Sequence, residues 1–307
     1  MKPSAPPALS RSSYDRAVER RTDEQWLAAA WERARVLVVG ADGTADVRAV
    51  DGPGGSSVGL DLRQPADAPE GSLRVFLGVD GDAVYFAALD LSEPEDADRR
   101  GAETRSPGVS RAGLRAVGAE LDDVGSGLFV SAIALRNWHL RHPCCPRCGT
   151  PTEAVQGGWV RECPADGSLH FPRTDPAAIM LIHDGDDRCV LGRQAVWPSG
   201  RYSILAGFVD PGESAEAAVA REVGEEVGIA ITDITYVASQ PWPFPASIML
   251  GFTARVDGDP TLRVDHNEIE DAQWFTRAQL RESKGTILLP SPVSIAYRLI
   301  TDWLADG

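Results

Sequence analysis

Residues 207–229 read GFVDPGESAEAAVAREVGEEVGI, and the rest of the chain is organised around this stretch. Pro211-Gly212 is a breaker pair, and Gly207 can take backbone conformations that a side chain forbids, so the first half reads as a turn. The second half predicts a helix from about Ser214 to Val227, stopped by Gly228 as its C′ residue. Glu222 and Glu226 then stand at i and i+4, with Glu225 at i+3. All three carboxylates project from one helix face, within about 100° at 3.6 residues per turn. Val219, Val223 and Val227 fall on the neighbouring stripe and can anchor the helix to a core. Carboxylates this close repel one another unless a cation sits among them. Hard oxygen donors suit Mg²⁺ or Mn²⁺, which also neutralise a diphosphate. The bland alternative is a solvated acidic helix face. It does not account for a turn, glycines, Arg221 and the glutamates falling together at fixed offsets.

The stretch resembles the Nudix box, G-x5-E-x7-R-E-U-x-E-E-x-G-U with U apolar, and matches it at every defined position, Glu213 included. The resemblance implies hydrolysis of a nucleoside diphosphate linked to another moiety. It implies that Glu222 and Glu226 bind the catalytic divalent metals, with Glu225 as a further ligand or base. The carbonyl of Ala206, just before the box, would complete a metal site. Arg221 would orient the glutamates through charge-assisted hydrogen bonds.

Composition sets the frame for this chemistry. The chain has 307 residues, 43% hydrophobic and 24% charged, which suits two soluble globular domains with real cores. A net charge of −15 argues against sequence-independent binding of nucleic acid over a broad surface, but leaves room for a local phosphate pocket. No apolar run approaches the roughly 20 residues of a membrane helix, and the start, MKPSAPPALSRSSYDR, has no apolar core of a secretory signal. Four of the five cysteines are clustered, which points to metal binding in a reducing cytoplasm rather than to a disulfide framework.

The Pro- and Ser-rich residues 1–13 are expected to be disordered. Residues 14–142 read as a small α/β domain. Thr22 to Arg33 predicts a helix capped by Thr22. The apolar runs Val36 to Val39, Val47 to Val50, Leu73 to Val79 and Ala83 to Leu89 predict strands. Asp42-Gly43 and Asp80-Gly81 mark hairpin turns. Leu91 to Ser110 reads as an acidic loop, and Leu128 to His142 as a helix. This domain carries no catalytic constellation and is read as structural or dimerising.

Residues 143–172 read as a zinc ribbon. Cys145-x-x-Cys148 followed by Gly149 is one knuckle, two thiolates presented by a tight turn. A second knuckle is expected about 15 residues on, and Cys163 supplies its first ligand. The residue three further along is Asp166 rather than a cysteine. Asp166 has the right spacing, and zinc accepts a carboxylate oxygen; Cys144, His142 and His170 are the other candidates for the fourth ligand.

Residues 173–307 read as the catalytic domain. Ala178 to Ile182 and Cys189 to Leu191 predict buried strands around the turn 184–187. Tyr202 to Phe208 leads into the box, Thr235 to Ser239, Ile248 to Val256 and Ala272 to Phe275 predict further strands, and Ser291 to Leu304 predicts a closing helix. The segment Gln240-Pro241-Trp242-Pro243-Phe244-Pro245-Ala246-Ser247 alternates prolines with aromatics. It is expected to be a stiff extended loop whose rings could stack on a planar base. With the preceding Ser239 it resembles the SQPWPFPxS signature of the NADH pyrophosphatase branch of the Nudix enzymes.

That branch implies a mixed-sheet αβα sandwich, preceded by a zinc ribbon and a smaller N-terminal α/β domain. It implies one structural zinc per chain, Glu268 as a metal ligand outside the box, Phe171 and Phe208 at the nicotinamide end, and Ala296 lining the substrate site. Phe171 stands where better known members have Tyr. The branch further implies a cytoplasmic homodimer that cleaves NADH or NAD⁺ to nicotinamide mononucleotide and AMP, and removes NAD caps from RNA. Two alternatives stand beside this reading: a Nudix enzyme acting on another diphosphate such as ADP-ribose, and a non-catalytic protein that binds RNA or a partner.

Overall fold

Ala178-Ile179-Met180-Leu181-Ile182 is apolar on both faces, and in the computed structural model it is the middle of a sheet covered on both sides. The structure describes residues 5–52, 55–92, 108–283 and 285–306. The chain divides into two compact units. One comprises Met1–Ala8, Asp175–Pro241 and Ser247–Gly307; the other comprises Leu9–Thr174 and Trp242–Ala246.

In the unit beginning at Asp175, the sheet is built on β10 (Asp175–His183). Its strand order is β13 (Ala230–Trp242), β14 (Ser247–Asp257), β10, β11 (Arg188–Arg193) and β15 (Asp271–Thr276), and β12 (Leu205–Phe208) also pairs with β10. β10 runs parallel to β14 and antiparallel to β11 and β12. Alternate residues of β10 face opposite sides, as strand geometry dictates. Ala178, Met180 and Ile182 pack with Val219, Val223 and Val227 of helix α4 (Ala215–Val227). Ile179 and Leu181 pack with Ile295, Leu299 and Ile300 of helix α6 (Ile295–Ala305). Helices on both faces of a mixed sheet make this the expected αβα sandwich. The short helix α5 (Arg277–Arg281) follows β15.

In the other unit, β1 (Arg35–Val39) is central. The order is β3 (Gly55–Leu60), β2 (Thr44–Gly52), β1, β5 (Ala83–Leu89) and β4 (Leu73–Asp80), with β6 (Val109–Gly113) also on β2. β1 and β5 are parallel. The expected hairpin glycines are in place: Gly43 and Gly81 have φ of 73° and 57°. Helix α1 (Glu24–Trp31) is shorter than expected, and its cap is Asp23, which accepts from the Trp26 N–H, rather than Thr22. Helix α2 (Leu114–Val117) is a single turn, and α3 (Asp123–Arg141) begins five residues before the expected Leu128, capped by Asp122. Strands β7 (Glu153–Val155), β8 (Val160–Glu162) and β9 (Leu169–His170) form the small ribbon sheet.

Several expectations are corrected. Residues 5–13 were read with 1–4 as disordered, yet Leu9 is buried and Arg11 donates to the carbonyls of Gly118 and Ala119. Most of the acidic stretch Leu91 to Ser110 lies outside the described residues, and its last residues begin β6. The Pro-aromatic segment is not an extended loop. β13 continues through Pro241 to Trp242, and residues 243–246 turn into β14. A proline is tolerated there because β13 lies at the sheet edge, where an N–H is not required on both sides. Helix α6 starts at Ile295, with Ser294 as its cap, because Pro290 and Pro292 keep the preceding residues out of helix.

Candidate active site and zinc ribbon

Helix α4 is set by its ends. Ser214 Oγ accepts from the Ala217 N–H at 3.1 Å, and Gly228 closes the helix in the left-handed conformation. Val219, Val223 and Val227 are fully buried, which fixes the rotation of the helix and leaves Glu222 half-buried and Glu225 exposed. Gly207 is needed for a different reason from the one its position in a turn suggests. Its φ is not in the left-handed region; instead, a Cβ there would lie 1.8 Å from the Glu222 carboxyl carbon. The strand β12 thus passes directly against that carboxylate.

Arg221 is the hub of the box. Its Nε donates to Glu213 Oε1 at 2.9 Å, and its Nη2 to Glu213 Oε2 at 2.8 Å and to the Phe208 carbonyl at 2.9 Å. Its Nη1 donates to Glu222 Oε1 at 2.8 Å and Glu225 Oε2 at 2.9 Å. These carboxylates push the Arg221 pKa further up, Glu213 contributing most. Glu225 is exposed and Glu222 half-buried.

Glu226 is different. It is 6% exposed, and its Oε2 is buried with no hydrogen-bond partner. Burial pushes its pKa up to about 8, with Glu222, Glu268 and Glu225 adding to the shift. Glu268, in the loop before β15, is also shifted upwards by desolvation and then by Glu225, Asp265 and Glu222. A buried carboxylate oxygen with no donor, ringed by three further carboxylates, is a place where a hard cation removes the cost. The donor set therefore fits a divalent metal. Among the described residues these glutamates do not yet converge on one point, because Glu222 and Glu225 both turn to Arg221. Ala206 is exposed on β12, opposite Ile179 of β10.

The ribbon does converge. One ligand atom from each of Cys145, Cys148, Cys163 and Asp166 lies within 4.8 Å of the others. The two knuckles repeat one turn. Gly149 N–H donates to the Cys145 carbonyl at 2.9 Å, and Gly167 N–H to the Cys163 carbonyl at 2.8 Å. Both glycines have positive φ, 75° and 69°. Cys145 N–H bonds the Thr150 carbonyl as Cys163 N–H bonds that of Ser168. Asp166 therefore occupies the position that Cys148 holds in the first knuckle. Its Oδ1 accepts from the Ser168 N–H at 2.9 Å and the Ser168 hydroxyl at 2.5 Å, which leaves Oδ2 toward the thiols. Those Ser168 bonds hold its pKa down at about 2, so the carboxylate is ionised. Three soft thiolates and one carboxylate in a tetrahedral-sized cluster suit zinc.

The expected substrate residues are distributed unevenly. Phe208 and Phe171 are 59% and 63% exposed. Trp242 and Phe244 meet edge to face, ring centroids 5.0 Å apart, and the Arg115 guanidinium lies 4.2 Å from the Phe244 centroid and 5.3 Å from that of Trp242. Pro241 and Trp242 end β13, Pro243 is buried, Pro245 and Ala246 complete the turn, and Ser247 opens β14 opposite Asp175. Gln240 is 0% exposed; its Nε2 donates to the Val293 carbonyl at 3.1 Å, and its Oε1 is buried without a hydrogen-bond partner. Ala296 is 2% exposed in the apolar cluster around α6. The residues that sequence reading left without a role are Arg115 and Asn137. Neither belongs to a motif, and only the folded turn reveals them.

Comparison with known proteins decides the family. A model of the NUDIX domain matches residues 173–293, one of the NADH pyrophosphatase zinc ribbon domain residues 140–171, and one of the NADH pyrophosphatase-like rudimentary NUDIX domain residues 25–138. The chain is 40% identical over 312 residues to "NAD-capped RNA hydrolase NudC" of Mycobacterium bovis (strain BCG / Pasteur 1173P2), covering 97% of this chain and 95% of that protein. The chain belongs to the Nudix family, in its NADH pyrophosphatase branch. The Mycobacterium tuberculosis (strain ATCC 25618 / H37Rv) protein of the same name is equally similar. "NAD-capped RNA hydrolase NUDT12" of Homo sapiens is 41% identical over 199 residues, 60% of this chain and 43% of that protein. Residues 25–138 of this Nudix chain thus match the rudimentary domain's model although they contain no box. The ribbon match supports a structural zinc.

Proposed function

We propose that this chain is a Mg²⁺- or Mn²⁺-dependent hydrolase that cleaves the diphosphate of NADH or NAD⁺ to nicotinamide mononucleotide and AMP, and removes NAD caps from RNA. The observation that carries the reading is Glu226: a buried carboxylate with an unpartnered oxygen, on one helix face with Glu222 and Glu225. Glu222, Glu225, Glu226, Glu268 and the Ala206 carbonyl would hold the divalent metal, which would supply charge neutralisation of the diphosphate. Arg221 keeps Glu222 and Glu225 oriented, and the valine stripe holds α4 against the sheet. Water adds to one phosphorus, the bond to the bridging oxygen breaks, and Glu225, the most exposed of the three helix glutamates, takes the proton. Phe208, Phe171, Trp242 and Phe244 supply ring surfaces for the two nucleotide ends. The names of the curated relatives support the NAD-linked substrate over ADP-ribose. The intact glutamates and Arg221 support catalysis over mere binding.

The chain works as a cytoplasmic homodimer in this reading. None of its five cysteines is paired in a disulfide, and no helix among the described residues is long and apolar enough to cross a membrane. The test is a panel of NADH, NAD⁺, ADP-ribose and NAD-capped RNA at equal concentration with Mg²⁺ or Mn²⁺, products identified. Nicotinamide mononucleotide and AMP from the dinucleotides, formed faster than ADP-ribose is cleaved, is the expected result. Preferential cleavage of ADP-ribose would overturn it.

A further inference from the structure

The turn Trp242–Ala246 belongs to the same compact unit as Leu9–Thr174. Its covalent neighbours on both sides are strands of the catalytic sheet, so something in that unit must hold it. The holder is visible. Asn137, half-buried on α3, directs its Nδ2 at the Pro243 carbonyl (2.8 Å) and the Pro245 carbonyl (3.3 Å). Both partners can only accept, so the donating end of the amide must face them. Its chain neighbours Arg136 and Trp138 are buried, which gives the amide a rigid base.

The arrangement suits this turn in particular. Pro243 and Pro245 have no N–H, so the turn can form few bonds of its own. The Phe244 N–H bonds the Trp242 carbonyl at 2.7 Å. One amide bridging the carbonyls before and after Phe244 fixes the spacing across that residue, and so the direction of its ring. Arg115, from α2, stacks over the same ring and over Trp242.

We propose that Asn137 is a positioning residue for substrate binding, holding the proline turn so that Trp242 and Phe244 are preset for a nucleotide ring. It acts through the turn, not on the diphosphate. The inference rests on the proposed reading of the turn as ring-binding. A preset ring surface contributes binding common to ground and transition states, so its loss raises KM and leaves kcat.

The experiment compares wild type with Asn137→Ala, Asn137→Asp and Asn137→Gln in the full chain. Asp matches the shape of Asn but cannot donate; Gln keeps the donating amide. Steady-state kinetics on NAD⁺ and amide hydrogen exchange of the peptide spanning 242–250 are both read. Expected are a KM higher by about tenfold in Ala and Asp, the scale of one lost stacking contact, with kcat within about twofold. Gln should recover part of the loss. Exchange in 242–250 should accelerate in Ala and Asp, while α4 and the ribbon exchange as in wild type. Unchanged exchange, or accelerated exchange with wild-type KM, overturns the proposal. If wild type fails to cleave NAD⁺, the reading of substrate fails, and the exchange arm still decides whether Asn137 holds the turn.

Discussion

Arg221 grips Glu213 with two parallel bonds, Nε to Oε1 at 2.9 Å and Nη2 to Oε2 at 2.8 Å. Glu213 ends the turn before α4, and Arg221 stands two helical turns later. The bidentate pair therefore locks the turn onto the helix and leaves Nη1 aimed at Glu222 and Glu225. Lysine cannot reproduce that fork. Arg221→Lys should lower kcat by about 10- to 100-fold while the chain stays folded, equivalent to roughly 1.4–2.7 kcal/mol. Steady-state kinetics with circular dichroism as the folding control check this. Wild-type kcat in a folded Arg221→Lys would show that the hub is ornamental to the chemistry.

The second prediction concerns the buried carboxylate. Glu226→Gln keeps the shape and removes an ionisable group whose charged form is disfavoured by burial and by Glu222, Glu268 and Glu225. Activity should fall by at least about 100-fold, as loss of a charge-stabilising group in a water-excluded site does. Stability should move the other way without metal: the Tm of the metal-free variant should exceed that of metal-free wild type. Wild type should then be stabilised by added Mg²⁺ or Mn²⁺ more than the variant, because a ligand stabilises only the state that binds it. Equal metal-induced shifts in both proteins would remove Glu226 from the metal site.

Much of this centre is legible in the sequence because it is local. Glu222, Glu225, Glu226 and the valines lie within one helix, where spacing alone dictates which residues share a face. Ser214 and Gly228 bound that helix as expected. Three things are not local. Gly207 is required by a side chain fifteen positions away, not by its own backbone. Gln240 carries the chemistry of a ligand contact, but tertiary packing buries it under Val293. Asn137 and Pro243 meet across more than a hundred residues. Alternation also misreads the proline segment, since whether a proline can sit in a strand depends on that strand being at an edge. Strands β3 and β6 escape notice because glycines, serines and polar residues interrupt their apolar pattern.

The third prediction follows from the repeated knuckle turn. The purified chain should carry about one zinc, the four-coordinate site being complete with Asp166. Asp166→Ala should lose zinc, and Cys144→Ser should retain it, because Cys144 lies outside the converging group. Asp166→Cys should hold zinc more tightly than wild type under chelator competition, a thiolate being the softer ligand. Elemental analysis and a chelator titration check all three. Zinc retained in Asp166→Ala and lost in Cys144→Ser would identify Cys144 as the fourth ligand instead.

The last prediction is a pH dependence anchored at the base of the ribbon. His139, near the end of α3, is 1% exposed. Its Nε2 meets the Gly158 carbonyl at 2.8 Å, and its Nδ1 meets Arg161 Nη1 at 2.9 Å. A carbonyl accepts and a guanidinium donates, so the ring is neutral, with its proton on Nε2. Protonating Nδ1 would break the bond to Arg161 and set two cations face to face. Arg161 cannot retreat: its Nε donates to Thr152 Oγ1 at 2.6 Å, and its Nη2 reaches the Pro143 and Thr152 carbonyls. Burial, with Arg161 adding to it against the Gly158 bond, pulls the His139 pKa down from 6.5 to about 4. The unfolded chain therefore takes up this proton as pH falls through 6.5, while the folded chain resists until about 4. Stability from His139 is complete above 6.5 and is lost progressively as the pH falls toward 4. The slope from this one group is at most about 1.4 kcal/mol per pH unit. His139→Gln can donate to Gly158 and accept from Arg161 without titrating. Urea unfolding at pH 7, 6 and 5 should show wild type losing stability faster than His139→Gln. The half-buried His183, its pKa also lowered, contributes a loss of the same sign to both proteins, so the difference between them isolates His139. Parallel curves for the two proteins across that window would mean that His139 takes its proton as readily in the folded chain as in the unfolded one.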